Sequence, residues 1–409
     1  MIIRAPVVIT MDGPPIENGA VVVAGDRILD VGKFPEISKR YSGEEVIDLG
    51  EQALLPGLIN AHCHLDYTCL RGKILRQESF TDWIRAINAE KAKLSAEDYV
   101  ASIKQGFAEA KRFGTSTIAN LTAFPELVSH IQAPIRTWWF AELIDARDPS
   151  RANEIVDLAV EKLKSAEQWG LAPHAPFTAS ANLYRRCEEI ARSEDVPLTT
   201  HLAESREEMS MFREGSGPLY DFLKEIGRDM SDCGRETPLH RFSEIVRDVS
   251  TSLDMTNEWI LVHANEFAEA DFTLLNRQLI KAHLVHCPRS HDYFGHSPFQ
   301  FHKLWELGFN ICLGTDSLAS NDSLSLFAEM RAFQKEFSDV SPEEILKMVT
   351  INGARALRQD DALGKVRSGF VADLVALPCP TTTSVFDEIV AFDREASWLM
   401  VGGQVQNSA

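Results

Sequence analysis

The sequence predicts a (β/α)8 TIM barrel, an α/β fold, together with a small β-sandwich-like domain that the two ends of the chain form. Between residues 54 and 362, apolar runs alternate with longer helical stretches, which is typical of parallel βα units. Residues 1–53 and 363–409 instead contain short β-type runs separated by turn residues. Each end is too short for a catalytic core, so we expect the two ends to pair beside the barrel.

Eight apolar runs are predicted as the barrel strands, and helical sequence separates them. The runs span residues 54–65, 115–120, 135–143, 171–174, 197–202, 259–263, 282–287 and 309–316. Residues 79–113 are predicted to be helical with a break near Leu94, because Ser95 precedes Ala96 as an N-cap would. The stretch 153–169 is a further helix, and the acidic stretch 214–254 is an insertion after the fifth strand.

Composition restricts the ligands that this chain can have. A formal charge of -19 in 409 residues argues against nucleic acid and against a membrane as partners, which leaves small molecules. Seven cysteines without a repeated spacing do not suggest a disulfide framework, and the N-terminus lacks the pattern of a secretory leader. We therefore expect a cytoplasmic protein, and the sequence is compatible with a homodimer.

The first barrel strand ends in two histidines. Side chains alternate across a strand, so His62 and His64 point to the same side while Cys63 points away. Two imidazoles that point to one place are a common beginning of a metal site. A single His-x-His at a strand end is more often a pair of ordinary polar residues. The ends of the other strands must therefore show whether a metal site is present.

Other barrel strands also end in residues that can bind metal or move protons. The fifth strand ends in His201, the sixth in His263 and the eighth in Asp316, while Glu204 follows the fifth. Active sites of such barrels lie at the C-terminal ends of the strands. Any one of these residues alone could be a capping residue, but their occurrence at matching ends of separate strands predicts one common site.

Four motifs in this order carry a resemblance to the amidohydrolase superfamily, in the branch of cytosine deaminase, S-adenosylhomocysteine deaminase and the triazine hydrolases. They are Pro56-Gly57-Leu58-Ile59-Asn60-Ala61-His62-Cys63-His64, His201-Leu202-Ala203-Glu204, Val262-His263-Ala264 and Gly314-Thr315-Asp316-Ser317. The resemblance covers nearly the whole chain, including the split β-domain. It implies a divalent metal held by His62, His64, His201 and Asp316.

Ligand chemistry agrees with this implied site. Three imidazoles and a carboxylate suit zinc first, and iron, manganese or nickel as well. Relatives with two metals usually bridge them with a modified lysine or a glutamate from the middle strands. The fourth strand here is followed by His174 and no lysine, so one metal is expected, although Glu142 after the third strand could support a second.

The same residues predict the chemistry. A bound metal lowers the pKa of its water from 15.7 towards about 7, and the resulting metal hydroxide can attack an amidine-type carbon. Asp316 can accept a proton from this water, His263 can hold the attacking oxygen, and Glu204 can protonate a ring nitrogen. Loss of ammonia completes a hydrolytic deamination. The signature of the other zinc deaminase fold is absent from this sequence.

Two aromatic residues are candidates for substrate contact. Trp83 lies on the helical stretch after the first strand, where related nucleoside deaminases place a Trp over the ligand, although it could equally be packed in the core. His174 lies in a Pro-His-Ala-Pro turn, and in related enzymes a His of such a turn contacts the substrate heterocycle.

The stretch after the seventh strand departs from the usual family pattern. It reads Arg289-Ser290-His291, where an Asn would be usual, and it is similar to aminodeoxyfutalosine deaminases of menaquinone biosynthesis. A guanidinium with hydroxyl and imidazole neighbours suits a substrate carboxylate. Alternatively, Arg289 pairs with one of the many acidic residues.

The expected function is metal-dependent hydrolytic deamination of an aminopurine nucleoside-like substrate, with 6-aminodeoxyfutalosine as the first compound to test. Deamination of adenosine, S-adenosylhomocysteine, guanine or a pterin, and hydrolysis of a chlorinated triazine, are the alternatives. A catalytically silent scaffold is a more distant one, since a scaffold has no need for both the metal ligands and Glu204.

Overall fold

A computed structural model describes residues 1–249, 258–277, 281–379 and 384–406 of the protein. Its strands, in chain order, are β1 (Ile2–Val8), β2 (Ile16–Ala24), β3 (Arg27–Lys33), β4 (Val46–Asp48), β5 (Gln52–Pro56), β6 (Leu58–His64), β7 (Thr115–Thr122), β8 (Arg136–Leu143), β9 (Trp169–Pro173), β10 (Leu198–Leu202), β11 (Trp259–His263), β12 (Ala282–His286), β13 (Asn310–Leu313), β14 (Asp316–Ser317), β15 (Leu374–Pro378), β16 (Trp398–Val401) and β17 (Gln404–Gln406). Its helices are α1 (Phe34–Arg40), α2 (Phe80–Lys91), α3 (Ala96–Arg112), α4 (Ala152–Leu163), α5 (Ala181–Glu194), α6 (Arg206–Glu214), α7 (Pro218–Glu225), α8 (Pro238–Val249), α9 (Glu269–Asn276), α10 (Pro288–Phe294), α11 (Phe301–Glu306), α12 (Leu326–Glu336), α13 (Pro342–Met348), α14 (Ile351–Ala356) and α15 (Val385–Ala391).

The two ends of the chain form one mixed sheet, as the sequence predicts. Its strands follow the order β17-β16-β15-β5-β1-β2-β3, and β4 pairs with β1. Contact between the two ends runs through β5 and β15, which pair antiparallel. One face of this sheet buries an apolar cluster that includes Ile3, Val21, Leu54 and Leu374, so both ends of the chain contribute to the same small core.

The larger sheet is the predicted barrel. Its strands follow the order β13-β12-β11-β10-β9-β8-β7-β6-β14, and every described pairing within it is parallel. The last strand is divided into two segments, of which β13 pairs with β12 and β14 pairs with β6. Because β6 is the first barrel strand, the change of partner between β13 and β14 closes the barrel. The fold class is confirmed.

Gly314 allows this change of partner. Its N–H donates to the carbonyl of His286 on β12 at 3.0 Å, whereas the N–H of Thr315 donates to the carbonyl of His62 on β6 at 3.0 Å. A Cβ at residue 314 would lie 2.7 Å from the His62 carbonyl oxygen and 2.9 Å from the His62 Cβ. Only a residue without a side chain lets the closing strand approach a predicted metal ligand so closely.

Some boundaries differ from the sequence prediction. The first barrel strand begins at Leu58 rather than at residue 54, because Gln52–Pro56 pairs with β1 and β15 of the small sheet. Gly57 separates the two strands, and its N–H donates to the carbonyl of Asp373 at 2.9 Å. The division of the chain into domains at residues 53/54 and 362/363 stays a prediction.

The predicted helices occur with adjusted ends. Ser95 caps α3 in a capping box with Asp98, so the predicted break between α2 and α3 is confirmed. Helix α4 ends at Leu163 rather than near residue 169, since Trp169 already belongs to β9. The predicted insertion contains α7 and α8, and its residues 250–254 lie outside the described part of the chain. None of the helices in the described ranges combines the length and apolarity that a membrane span requires.

Candidate active site

Four strand ends bring histidines and an aspartate together at one end of the barrel. The side chains come from β6 (His62 and His64), β10 (His201), β11 (His263) and β14 (Asp316), and all of them are buried. Candidate ligand atoms of His62, His64 and His201 lie within 4.8 Å of one another, and so do those of His62, His263 and Asp316. The predicted convergence of these residues is therefore present in the structure.

The donor set fits a divalent metal ion. Both ring nitrogens of His62 are buried and lack a hydrogen-bond partner among the described residues, which is unfavourable unless another group binds them. The Nε2 atoms of His64 and His201 lie 3.3 Å apart. His201 Nδ1 lies 3.0 Å from the carbonyl oxygen of His174, so this contact fixes the ring and leaves Nε2 for the cluster. Imidazole nitrogens and a carboxylate in this arrangement suit zinc and similar ions.

Asp316 is held by two serines. Its Oδ2 accepts hydrogen bonds from Ser290 Oγ at 2.6 Å and from Ser320 Oγ at 3.0 Å. Its Oδ1 lies 3.6 Å from His62 Nε2, so this oxygen remains directed towards the cluster. Burial alone would raise the pKa of Asp316, but the neighbouring His62, His263 and His64 bring it well below its usual value. The side chain is thus kept as a carboxylate.

Glu204 and His263 face each other beside the cluster. Glu204 Oε1 lies 3.6 Å from His263 Nε2, and both side chains are less than one tenth exposed. Burial, together with the charges of Asp316 and Glu208, raises the pKa of Glu204 well above its usual value, while burial lowers the pKa of His263. A carboxyl group that keeps its proton can serve as a general acid.

The backbone at two of these strand ends adopts an unusual conformation. His263 has a φ of 75° and Asp316 a φ of 55°, both in the left-handed region that non-glycine residues rarely adopt. Such residues cluster at functional sites, where the surrounding structure holds them in place. Here both residues with this backbone conformation contribute their side chains to the cluster.

A cavity of about 450 Å³ opens above the cluster. Its inner end contains His64, Glu142, His174, His201, Glu204, His263 and Asp316. Its walls are apolar and come mainly from α2, α7 and the segment after β9: they are Phe80, Trp83, Ile84, Ile87, Phe177, Leu219, Phe222, Leu223 and Ile226. Trp83 and His174, both predicted from sequence as substrate contacts, line this cavity.

Two arginines lie at the outer end of the cavity, after β8. Arg151 pairs with Glu154 at 3.0 Å on the surface. Arg147 is exposed and forms no ion pair with any residue of the described ranges, although it lines the cavity. The lining of the cavity therefore combines the buried polar cluster, apolar side chains and two exposed arginines beside the exposed Asp148.

The residues after the seventh strand do not line this cavity, which corrects part of the sequence prediction. Arg289 pairs with Asp322 and faces a separate cavity of about 760 Å³, which His291 also lines. Ser290 is buried and donates to Asp316. The alternative interpretation of Arg289, pairing with an acidic residue, fits this geometry, because its Nη2 pairs with Asp322. Its Nη1 is buried and has no hydrogen-bond partner among the described residues.

Sequence reasoning missed several residues of the site. Ser320, which supports Asp316, and Arg147 at the outer end were not predicted, nor was the wall that α7 contributes through Phe222. A signal for Arg147 was available, since it follows the third barrel strand by four residues on the edge where barrel sites form. The wall residues of α7 lie in an insertion whose position no local pattern determines.

Comparison with known proteins identifies the family. The profile of the Amidohydrolase family matches residues 53–405, so the chain belongs to this family. A 5-methylthioadenosine/S-adenosylhomocysteine deaminase from Syntrophobacter fumaroxidans is 30% identical over 385 residues, covering 90% of this chain and 81% of the relative. One from Pyrococcus furiosus is 28% identical, covering 88% and 85%.

Solved structures show the same fold. Helicobacter pylori aminofutalosine deaminase superimposes with a TM-score of 0.85 at 21% identity, covering 99% of this chain and 100% of that one. An adenosine deaminase from Xanthomonas campestris with bound zinc gives 0.79 at 23% identity, covering 99% and 92%. Together with the sequence relatives and the buried donor set, the family assignment makes the chain a metal-dependent hydrolytic deaminase.

Proposed function

We propose that this enzyme deaminates an aminopurine nucleoside whose sugar carries an apolar group ending in a carboxylate, with 6-aminodeoxyfutalosine as the first candidate. The observation that carries the proposal is that one cavity is lined by the buried cluster, by an apolar wall and by the exposed Arg147 and Arg151. A heterocycle at the cluster, an aromatic ring along the wall and a carboxylate at the arginines match these surfaces in turn.

At the inner end, His62, His64, His201 and Asp316 would hold one metal ion, for which zinc is our first expectation. The metal, when bound, would make a water molecule acidic enough to react near neutral pH. Asp316 would accept the proton of this water through Oδ1, which is directed towards the cluster, because Oδ2 already accepts hydrogen bonds from the two serines. His263 holds the developing oxygen charge.

Glu204 is the proton donor to the heterocycle. Its carboxyl group lies in the cavity next to His263 and retains its proton because it is buried. Protonation of a ring nitrogen makes the adjacent amidine carbon easier to attack. The proton that Asp316 takes from the water would then pass to the amino group, which leaves as ammonia, and the proton of the added hydroxyl would return to Glu204. His174 also lines the inner end of the cavity and would contact the heterocycle and fix its orientation.

Arg147 replaces Arg289 as the predicted partner of the substrate carboxylate. It lines the cavity and forms no ion pair with another described residue, whereas Arg289 pairs with Asp322 and faces elsewhere. Hydrogen bonds to charged groups contribute roughly 1.5 to 3 kcal/mol each, which corresponds to about 10-fold to about 150-fold in kcat/KM. An exposed site reduces this effect, so the lower end is expected.

The experiment compares kcat/KM for 6-aminodeoxyfutalosine with kcat/KM for adenosine. In Arg147→Met, the ratio of the two values should fall about tenfold relative to wild type. Two matched variants serve as controls: Arg289→Met and the surface variant Arg394→Met should leave the ratio unchanged. An equal decline for both substrates in Arg147→Met would show that Arg147 does not bind the carboxylate.

A second candidate is 5′-methylthioadenosine or S-adenosylhomocysteine, which the names of the sequence relatives favour. A methylthio group would occupy only the apolar wall, so Arg147→Met should not affect turnover of 5′-methylthioadenosine. Ammonia release should be measured for all these nucleosides, guanine, a pterin and a chlorinated triazine with the metal-loaded enzyme. Absence of turnover for every compound would refute the proposed substrate class.

A further inference from the structure

Glu142 is a buried carboxylate for which the proposed reaction has no use. It lies at the end of β8, its side chain is 7% exposed, and it lines the inner end of the cavity. Its carboxylate forms no hydrogen bond with the residues that the structure describes. Oε1 lies 3.8 Å from His64 Nδ1 and 3.9 Å from His174 Nε2, so one oxygen faces two imidazoles.

For His64, the carboxylate lies on the side away from the metal cluster. His64 Nε2 is 3.3 Å from His201 Nε2 and 3.8 Å from Asp316 Oδ1, so this nitrogen faces the other candidate ligands. A neutral imidazole that binds a metal through one nitrogen carries its proton on the other. The negative charge of Glu142 next to Nδ1 favours the proton at that nitrogen and so leaves Nε2 free to bind.

For His174, the neighbouring hydroxyl allows two arrangements. His174 Nδ1 lies 2.6 Å from Thr178 Oγ1, and this hydroxyl can donate either to Nδ1 or to the carbonyl of Ala175 at 3.3 Å. A carboxylate opposite Nε2 favours a proton on Nε2, and Thr178 then donates to Nδ1. His174 consequently presents an N–H group to the cavity, which complements the lone pair of a heterocyclic nitrogen.

We infer that Glu142 is a positioning residue that fixes the tautomers of His64 and His174, and that it thereby orients the metal ligand and the heterocycle contact together. The part that concerns His64 is independent of the substrate, whereas the part that concerns substrate binding rests on the proposed function. The opposing assignment is a ligand to a second metal, since ligand atoms of Glu142, His174 and His201 lie within 4.8 Å of one another.

Zinc affinity tests the first part. Zinc dissociation constants are measured by competition with a chelator for wild type, Glu142→Gln and Glu142→Met. Gln retains a hydrogen-bond acceptor without the charge, and Met retains neither. Zinc affinity should therefore fall from wild type to Glu142→Gln and further to Glu142→Met, by about 10-fold to about 100-fold for Glu142→Met. Asp148→Asn is the matched control, because Asp148 lines the same cavity but bonds Ser150 rather than a histidine.

Histidine NMR tests the tautomers directly. In zinc-loaded protein with 15N-labelled histidine, the signals of His174 are assigned by their loss in His174→Asn. Wild type should show the proton of His174 on Nε2, and Glu142→Met should shift it towards Nδ1. Unchanged zinc affinity and unchanged tautomers in both Glu142 variants would overturn the inference, even if either variant were less stable.

Kinetics and metal content separate the remaining outcomes. If wild type deaminates an aminopurine nucleoside, Glu142→Met should raise KM more than it lowers kcat, because a binding contact is weakened. If wild type deaminates none, the proposed function fails while affinity and NMR still decide the role of Glu142. About two zinc ions per chain in wild type and one in Glu142→Met would make Glu142 a ligand and overturn the inference.

Discussion

Ser290→Ala should weaken metal binding without any loss of a metal ligand. Ser290 Oγ donates to Asp316 Oδ2 at 2.6 Å in a buried environment. Hydrogen bonds to charged groups contribute roughly 1.5 to 3 kcal/mol, or about 10-fold to about 150-fold in a dissociation constant. Ser320 still donates to the same oxygen at 3.0 Å after the substitution, so we expect a value near the lower end, about tenfold.

The assay is competition for zinc between the variant and a chelator, with the melting temperature measured in parallel. Ser243→Ala is the control, because Ser243 is 1% exposed and its hydroxyl has no hydrogen-bond partner among the described residues. The double variant Ser290→Ala with Ser320→Ala should lose more than either single variant. A change below twofold in Ser290→Ala, or the same change in Ser243→Ala, would refute the idea that Ser290 holds Asp316 for the metal.

Four further outcomes are expected. Glu204→Gln should retain its metal and lose about 10²-fold to 10⁴-fold in turnover; loss of the metal would instead make Glu204 a ligand. Elemental analysis should find one metal per chain, and a value near two would bring Glu142 forward as a ligand. Gly314→Ala should destabilise the fold by about 1 to 3 kcal/mol in chemical denaturation, because its Cβ would lie 2.7 Å from the His62 carbonyl oxygen; unchanged stability would contradict this steric argument. Burial raises the pKa of Glu329 to about 8, above its unfolded value, so its contribution to stability is largest at low pH and is lost as pH rises towards 8. The melting temperature of Glu329→Gln minus that of wild type should therefore become more positive between pH 5 and pH 9, and a constant difference would contradict the shifted pKa.

The part of the site that lies on strands could be predicted from sequence. His62 and His64 share a face because strand geometry alternates side chains, and His201 and Asp316 reach the same place because parallel strands of a barrel end at one edge. These are local rules combined with one rule of topology. They do not depend on the packing of distant segments.

The part of the site that lies on loops and insertions could not be predicted in the same way. Arg289 follows a barrel strand just as His201 ends one, yet Asp322 of another loop determines where its guanidinium lies. That pairing joins α10 to the loop after β14, 33 residues away in sequence, and no periodic pattern of the sequence indicates it. The wall formed by α7 has the same origin, since Phe222 reaches the cavity only because the insertion folds over α2.

Closure of the barrel at β14 links metal binding to the integrity of the fold. The closing segment carries Asp316 and pairs with β6, which carries His62 and His64. A metal held by these residues joins the first and last barrel strands, between which nearly the whole barrel sequence lies. In the unfolded chain the same connection would close a very long loop, which is the arrangement in which a crosslink removes the most conformational entropy.

Besides its role as a cofactor, the ion would consequently stabilise the pairing of β14 with β6 that closes the barrel. Removal of the metal should accelerate backbone hydrogen exchange most where β6 pairs with β14. It should accelerate exchange least where β8 pairs with β9, because these strands lie away from β14 in the strand order. Loss of activity on metal removal would then report two events, the loss of the ion and a weaker pairing of β6 with β14. We therefore expect the melting temperature of this enzyme to rise with the concentration of free metal.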